Sequence, residues 1–131
     1  MLQHLNWLAV LAATLSCFVI GGLWYSPLGF MKLWQRENGG QQAAQASPLR
    51  VFGIAGACAF MAAVAYAVLI PPAHHFPEAL HQGLLTGFGI AAMGFGINYQ
   101  FSNRSLTLLA IDGGFVTVMF AAYGVILGLW R

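Results

Sequence analysis

LNWLAVLAATLSCFVIGGLWYSP, residues 5–27, carries no charged side chain over its whole length. The part from Leu5 to Tyr25 is apolar and lacks the strict alternation of a strand. About 20 apolar residues, each rising 1.5 Å, match the ~30 Å hydrocarbon layer of a bilayer. Lipid offers the backbone no hydrogen bonds, so only helices or closed barrels cross it. The stretch therefore reads as a spanning helix. Its end is marked as clearly as its middle. Trp24 and Tyr25 suit the headgroup level, where part of a ring is dry and part can hydrogen-bond. Pro27 disfavours helical geometry at Ser26. Lys32 and Trp34 then anchor the chain at the surface. Phe30-Met31 and Leu33-Trp34 predict a segment lying along the interface.

The remainder repeats this pattern. Of the 131 residues, 60% are hydrophobic and 6% charged, against about a quarter charged in an ordinary soluble domain. Spans are predicted at about 5–25, 49–70, 79–99 and 105–130. Pro71-Pro72 end the second. The connections are residues 30–48, with Gly39-Gly40 as a breaker, PPAHHFPE at 71–78 and QFSNR at 100–104. The expected fold is all-α: a single integral-membrane four-helix bundle spanning residues 1–131. No basic region precedes Leu5, and Thr14 stands where a lipoprotein signal ahead of Cys17 would favour leucine. The first block is thus expected to stay in the membrane.

Lys32, Arg36, Arg50 and Arg104 fall in or beside the first and third loops, and Arg131 falls at the other end. The positive-inside rule places those two loops in the cytoplasm and both termini outside. A net charge of +2, scattered along the chain, gives no surface for nucleic acid.

Small residues recur at helical spacing. They are Ala55, Ala59, Ala63 and Ala67 in span two, and Gly83, Gly87, Ala91, Gly94 and Asn98 in span three. Span four has Gly113, Thr117, Ala121, Gly124 and Gly128. In lipid such faces let backbones approach closely. They could pack within one chain, form a homo-oligomer, or dock a larger membrane-protein partner.

Asp112 is the one acid placed inside a span. Near mid-membrane it costs ~2.5–3.5 kcal/mol on insertion scales, so it should face the protein interior with a partner. It lies about two turns, ~10 Å, into span four. Arg104, Asn98 and Tyr25 are the expected partners. The choice is between a hydrogen-bonded fastener and a proton- or ligand-contacting acid. Asn6, at the far end of span one, reads as a helix cap. Arg104 reads first as a snorkelling surface charge.

His74, His75, Glu78 and His81 cluster in the second connection. These residue types ligate metals, but no established spacing is matched. They are weak candidates, and no metal or other cofactor is expected. Cys17 and Cys58 read as small apolar residues within spans, with a redox pair as the lesser alternative. Walker, GxSxG, HExxH and CxxC patterns are all missing, so nothing points to a soluble-type enzyme.

Asn6-Trp7, GGLWYSPLGF at 21–30, INYQF at 97–101 with Arg104, IDGGF at 111–115 and GVILGLW at 124–130 together resemble the domain of unknown function 1761 family. These are small four-span bacterial membrane proteins. The resemblance covers nearly all the chain outside 35–48 and 71–80. It implies four membrane helices in the inner (plasma) membrane and no established activity. It directs attention to Trp24, Tyr25, Ser26, Pro27, Asn98, Tyr99, Arg104 and Asp112. The loop histidines fall outside its pattern. The expected function is binding or passage of a small solute or proton through this polar cluster near the cytoplasmic side. There Asp112 accepts, Asn98 and Tyr25 orient it, and Arg104 stands at the mouth. The alternative is a non-catalytic accessory or structural subunit docked through glycine-rich faces.

Overall fold

The computed structural model describes residues 2–38 and 47–130. The Gly39-Gly40 breaker and Arg131 lie outside them. Among the described residues, four helices are long and apolar enough to cross a membrane. In chain order, α1 is Trp7–Trp24, α2 Met31–Glu37 and α3 Pro48–Leu69. The third span runs as α4 Phe76–Thr86, a π-helical segment Gly87–Ala92, and α5 Met93–Phe101. Last comes α6, Leu106–Leu129. No strand occurs among the described residues.

The helix ends are set by local chemistry. The Asn6 side chain accepts from the amides of Leu8 and Ala9 at 3.1 and 3.2 Å, capping α1 as expected. Ser47 and Ser105 do the same for Arg50 and Leu108. Each satisfies an amide that the first helical turn leaves orphaned. The third span begins at Phe76, three residues before its expected start at Ala79. Pro77 is tolerated in a first turn, where its missing N–H costs nothing. His75 supplies the cap, its Nδ1 accepting from Glu78 N at 3.3 Å. The short α2 follows the first span and carries Lys32 and Trp34.

The spans alternate in direction. Asn6 Nδ2 donates to the Trp130 carbonyl at 3.2 Å, and Ala73 N to the Gly128 carbonyl at 3.0 Å. One end of the molecule therefore gathers the start of α1, the end of α6 and the 71–75 turn. Arg104 donates to Asn38 Oδ1 at 2.8 Å and ties the other two connections together at the opposite end. At that end Asn103 takes a positive φ of 59°, a conformation that asparagine tolerates in tight turns.

The bundle is centred on α6, which touches all the other helices. The third span packs chiefly on it, almost backbone to backbone. A Cβ on Gly83 would stand 2.3 Å from the Phe120 carbonyl oxygen. A Cβ on Gly124 would stand 2.4 Å from that of Ala79. The small stripe of span four is thus used inside the chain, against Ala79, Gly83, Gly87 and Ala92. On the other side, Ala9, Val10 and Ala13 of α1 meet Ala63, Tyr66 and Ala67 of α3 around Tyr123. The Tyr123 hydroxyl donates to the Ala59 carbonyl at 2.9 Å. Ala55, by contrast, is exposed, as is most of the first half of α3. Leu8, Leu11, Leu15, Val19 and Leu23 form the outer face of α1. A span apolar all round belongs in lipid, and this chain is a multi-pass membrane protein.

The stripe predicted for span three departs from expectation halfway along. Gly83 and Gly87 are buried, but beyond them the buried positions are Ala92 and Tyr99, while Gly94 and Asn98 are exposed. The π-helical turn at Gly87–Ala92 is the cause. It accommodates one extra residue, so every later side chain is displaced by one position from a 100° progression. Tyr99, not Asn98, is therefore delivered to the core.

Candidate functional site: a buried carboxylate beneath an aromatic turn

Residues 24–30 fold back on themselves. Phe30 N donates to the Trp24 carbonyl and Gly29 N to the Ser26 carbonyl, both at 2.8 Å. Gly29 is needed here, since a Cβ would lie 2.4 Å from the Trp24 carbonyl oxygen. The Ser26 hydroxyl returns to the Leu23 carbonyl at 2.7 Å, closing the end of α1. The Trp24 and Phe30 rings pack in a tilted arrangement at a 5.0 Å centroid distance. The turn thereby points Trp24 and Tyr25 at α6.

There the WYSP turn meets IDGGF. Trp24 Nε1 donates to the Ile111 carbonyl at 2.9 Å. Its ring occupies the space above Gly114, where a Cβ would come within 2.8 Å of it. The Tyr25 hydroxyl donates to Asp112 Oδ1 at 2.5 Å. The Tyr99 hydroxyl donates to Asp112 Oδ2. Asp112 is 8% exposed. Both its oxygens thus take phenolic hydrogens, one from each neighbouring span. A buried carboxyl group is tolerated when its lone pairs are matched in this way.

Asp112 also borders open space. A cleft of about 510 Å³ is lined by Tyr25, Met31, Trp34, Gln35, Phe95, Asp112, Phe115 and Val116. It lies between α2 and the helices α5 and α6. Tyr25 makes edge contacts with Trp34 at 5.9 Å and with Phe115 at 5.4 Å. Those two tyrosine and phenylalanine rings also line a second cleft, of about 610 Å³, between α1, α3 and α6. That space is bordered by Cys17, Phe18, Phe52 and Cys58 and holds no charged group in its lining.

The sequence-predicted residues thus separate into three groups. Trp24, Tyr25, Tyr99 and Asp112 come together. Arg104 stands at the edge of the cluster: its guanidinium lies 5.6 Å from the Tyr99 ring centroid and bonds Asn38. Asn98, expected to orient Asp112, is exposed, and its carbonyl accepts from Ser102 N and Oγ. Ser26 serves the turn and makes no bond to Asp112. The histidine cluster also has a local task. His75 caps α4, and Glu78 Oε2 accepts from His74 N at 2.8 Å, a variant of the reciprocal capping box. Among the described residues no group of three or more His, Cys, Asp or Glu is placed to hold a metal. Cys17 and Cys58 are free thiols. Asn38, Phe95 and Phe115 were not singled out from sequence. The glycine pair after Asp112 was the one available signal of the Trp24 seat.

The motifs that interlock at Asp112 are also the ones carrying the family resemblance. No curated protein and no solved structure matches the chain. A family profile described as "Protein of unknown function (DUF1761)" matches residues 8–128, nearly the whole sequence, and the chain belongs to that family.

Proposed function

We propose that this membrane protein binds a small solute or a proton at Asp112 and passes it across the bilayer. The observation that supports this is a carboxylate held by two phenols at the wall of a 510 Å³ cleft. A purely structural fastener has no need of that adjoining space. In this reading Tyr25 and Tyr99 orient the acceptor, and Arg104 stands at the mouth. In this reading the protein spans an inner membrane, and the basic residues Lys32, Arg36, Arg50 and Arg104 favour the cytoplasm for this end. Proteoliposomes enclosing a pH-sensitive dye provide the test. The protein should collapse an imposed proton gradient, and Asp112→Asn should return the rate to that of empty vesicles. Equal rates for the two proteins, both folded, would remove Asp112 from the path.

A second reading is an accessory or structural subunit. The glycine face of span four and the Gly83–Gly87 part of span three are occupied within the chain, so they do not favour it. One observation does. The first half of α3 is mostly exposed, and Gly53 there faces open space. Under this reading a stoichiometric larger protein, or a second copy of this chain, co-purifies after mild detergent extraction. A substitution to tryptophan at Gly53 releases it.

A further inference from the structure

We propose that the cleft beside Asp112 is a binding site for a small organic cation: an ammonium group carrying apolar or aromatic substituents. This rests on the reading of Asp112 as a binding residue and adds the class of ligand. Three observations converge. First, the lining holds one acid and no base. An anion entering it would face Asp112 with nothing to balance its charge. Second, aromatic rings from four elements surround the same space: Tyr25 after α1, Trp34 on α2, Phe95 on α5 and Phe115 on α6. Aromatic faces attract cations lying within ~6 Å of their centroids. Tyr25 makes edge contacts with Trp34 at 5.9 Å and with Phe115 at 5.4 Å, so these three rings form one continuous aromatic part of the lining, which a single cation can meet. Third, Asp112 is engaged but not saturated. Each carboxylate oxygen offers about two lone-pair sites, and each accepts one phenolic hydrogen.

A neutral apolar guest fits less well. It would strip water from Asp112 and return no opposite charge. The volume suits a small ligand, since ligand sites commonly enclose roughly 300–1,000 Å³. The nearest basic side chains do not line the cleft. Arg104 is held by Asn38 and the face of Tyr99, and Lys32 and Arg36 are exposed on α2.

The test uses the full-length protein in lipid nanodiscs, with protein-free nanodiscs as background. The probes are radiolabelled benzyltrimethylammonium, its uncharged carbon isostere neopentylbenzene, and benzenesulfonate. Saturable binding is expected for the ammonium probe alone. Asp112→Asn should weaken it by roughly tenfold or more. Trp34→Leu, which leaves the Asp112 bonds in place, should weaken it by about threefold. Circular dichroism and elution profile establish that each variant is folded, and the tryptophan variant serves alone where Asp112→Asn does not fold. Equal binding of the isostere would overturn the proposal, as would ammonium binding unchanged in both variants. Proton flux that requires Asp112, with no ammonium binding, would overturn it while sparing the parent reading. Loss of both would sink the two together.

Discussion

At the scale of single residues, the site is a matter of matched hydrogen bonds and forbidden volumes. Tyr99→Phe removes the donor to one oxygen of a buried carboxyl group. Interhelical hydrogen bonds in membranes average ~0.6 kcal/mol and reach ~1.7. An acceptor left bare in a dry place costs more than that mean. We expect Tyr99→Phe to lower stability by about 1–2 kcal/mol, measured by reversible unfolding in mixed micelles. Tyr25→Phe should cost less, because Tyr25 is half-buried beside an open cleft and water can replace its hydroxyl. The reverse order would mean that Asp112 leans on Tyr25 instead. The glycines give a sharper contrast. Gly114→Ala forces a methyl to 2.8 Å from the Trp24 ring and should cost about 1–3 kcal/mol. It should also shift Trp24 fluorescence as the indole leaves the Ile111 carbonyl. Gly22→Ala meets nothing within 4 Å. It should be neutral or gain up to about 1 kcal/mol, the helix-interior benefit of alanine over glycine.

At the scale of elements, the π-helical turn in the third span is the decisive feature. It absorbs one residue between Gly87 and Ala92. Upstream, Ala79, Gly83 and Gly87 face α6; downstream, Ala92 and Tyr99 do. Deleting Gly89 should relax the turn to an ordinary α-helix and leave Tyr99 on the same face. The measurable consequence is a retained coupling between Tyr99→Phe and Asp112→Asn in a double-mutant cycle. Deleting Ile97 should abolish that coupling, because it rotates Tyr99 by about 100° without compensation. Abolished coupling in both deletions would mean that the turn has a role beyond register. The same span shows why glycine is required at a helix contact. Gly124→Ala sets a methyl against the backbone of Ala79 and Gly83. Only separation of the two helices relieves it, so the cost should stand at the upper end of the ~1–3 kcal/mol typical of overpacking.

At the scale of the molecule, the chain is a bundle with two unlike ends. One gathers the start of α1, the end of α6 and the 71–75 turn; the other gathers Arg104 and Asn38, the aromatic turn and Asp112. Single-cysteine variants, with Cys17 and Cys58 replaced, distinguish the ends. A membrane-impermeant maleimide applied to intact spheroplasts should label a cysteine at His74. It should label one at Arg36 only after permeabilisation. Labelling of both from outside would contradict the antiparallel crossing itself, and a reversed pattern would invert only the orientation.

Much of this architecture could be read from the residues alone. The spans, the cap at Asn6, a short segment after span one and the family all follow from local signals: apolar length, a side-chain oxygen before a helix, and aromatic and basic residues at a boundary. Asp112 was legible for a related reason. An acid in an apolar run must be satisfied wherever the run ends up. Its partners were less so. Tyr25 could be anticipated from depth, since it shares a membrane level with Asp112. Tyr99 was legible as a neighbour but not as the donor. A regular helix places Asn98 in that direction, and the π-helical turn is invisible in composition.

By itself, then, the sequence determined that this protein lives in lipid and crosses it four times. It also determined that one buried acid must find partners near the basic end. Those conclusions rest on transfer free energies and helix length, which are properties of each segment in isolation. Only the tertiary structure decided which phenols hold that acid, which glycines touch backbone, and where open space adjoins the carboxylate. Those outcomes depend on the relative rotation of packed helices. A single extra residue in one turn changes that rotation by about 100°.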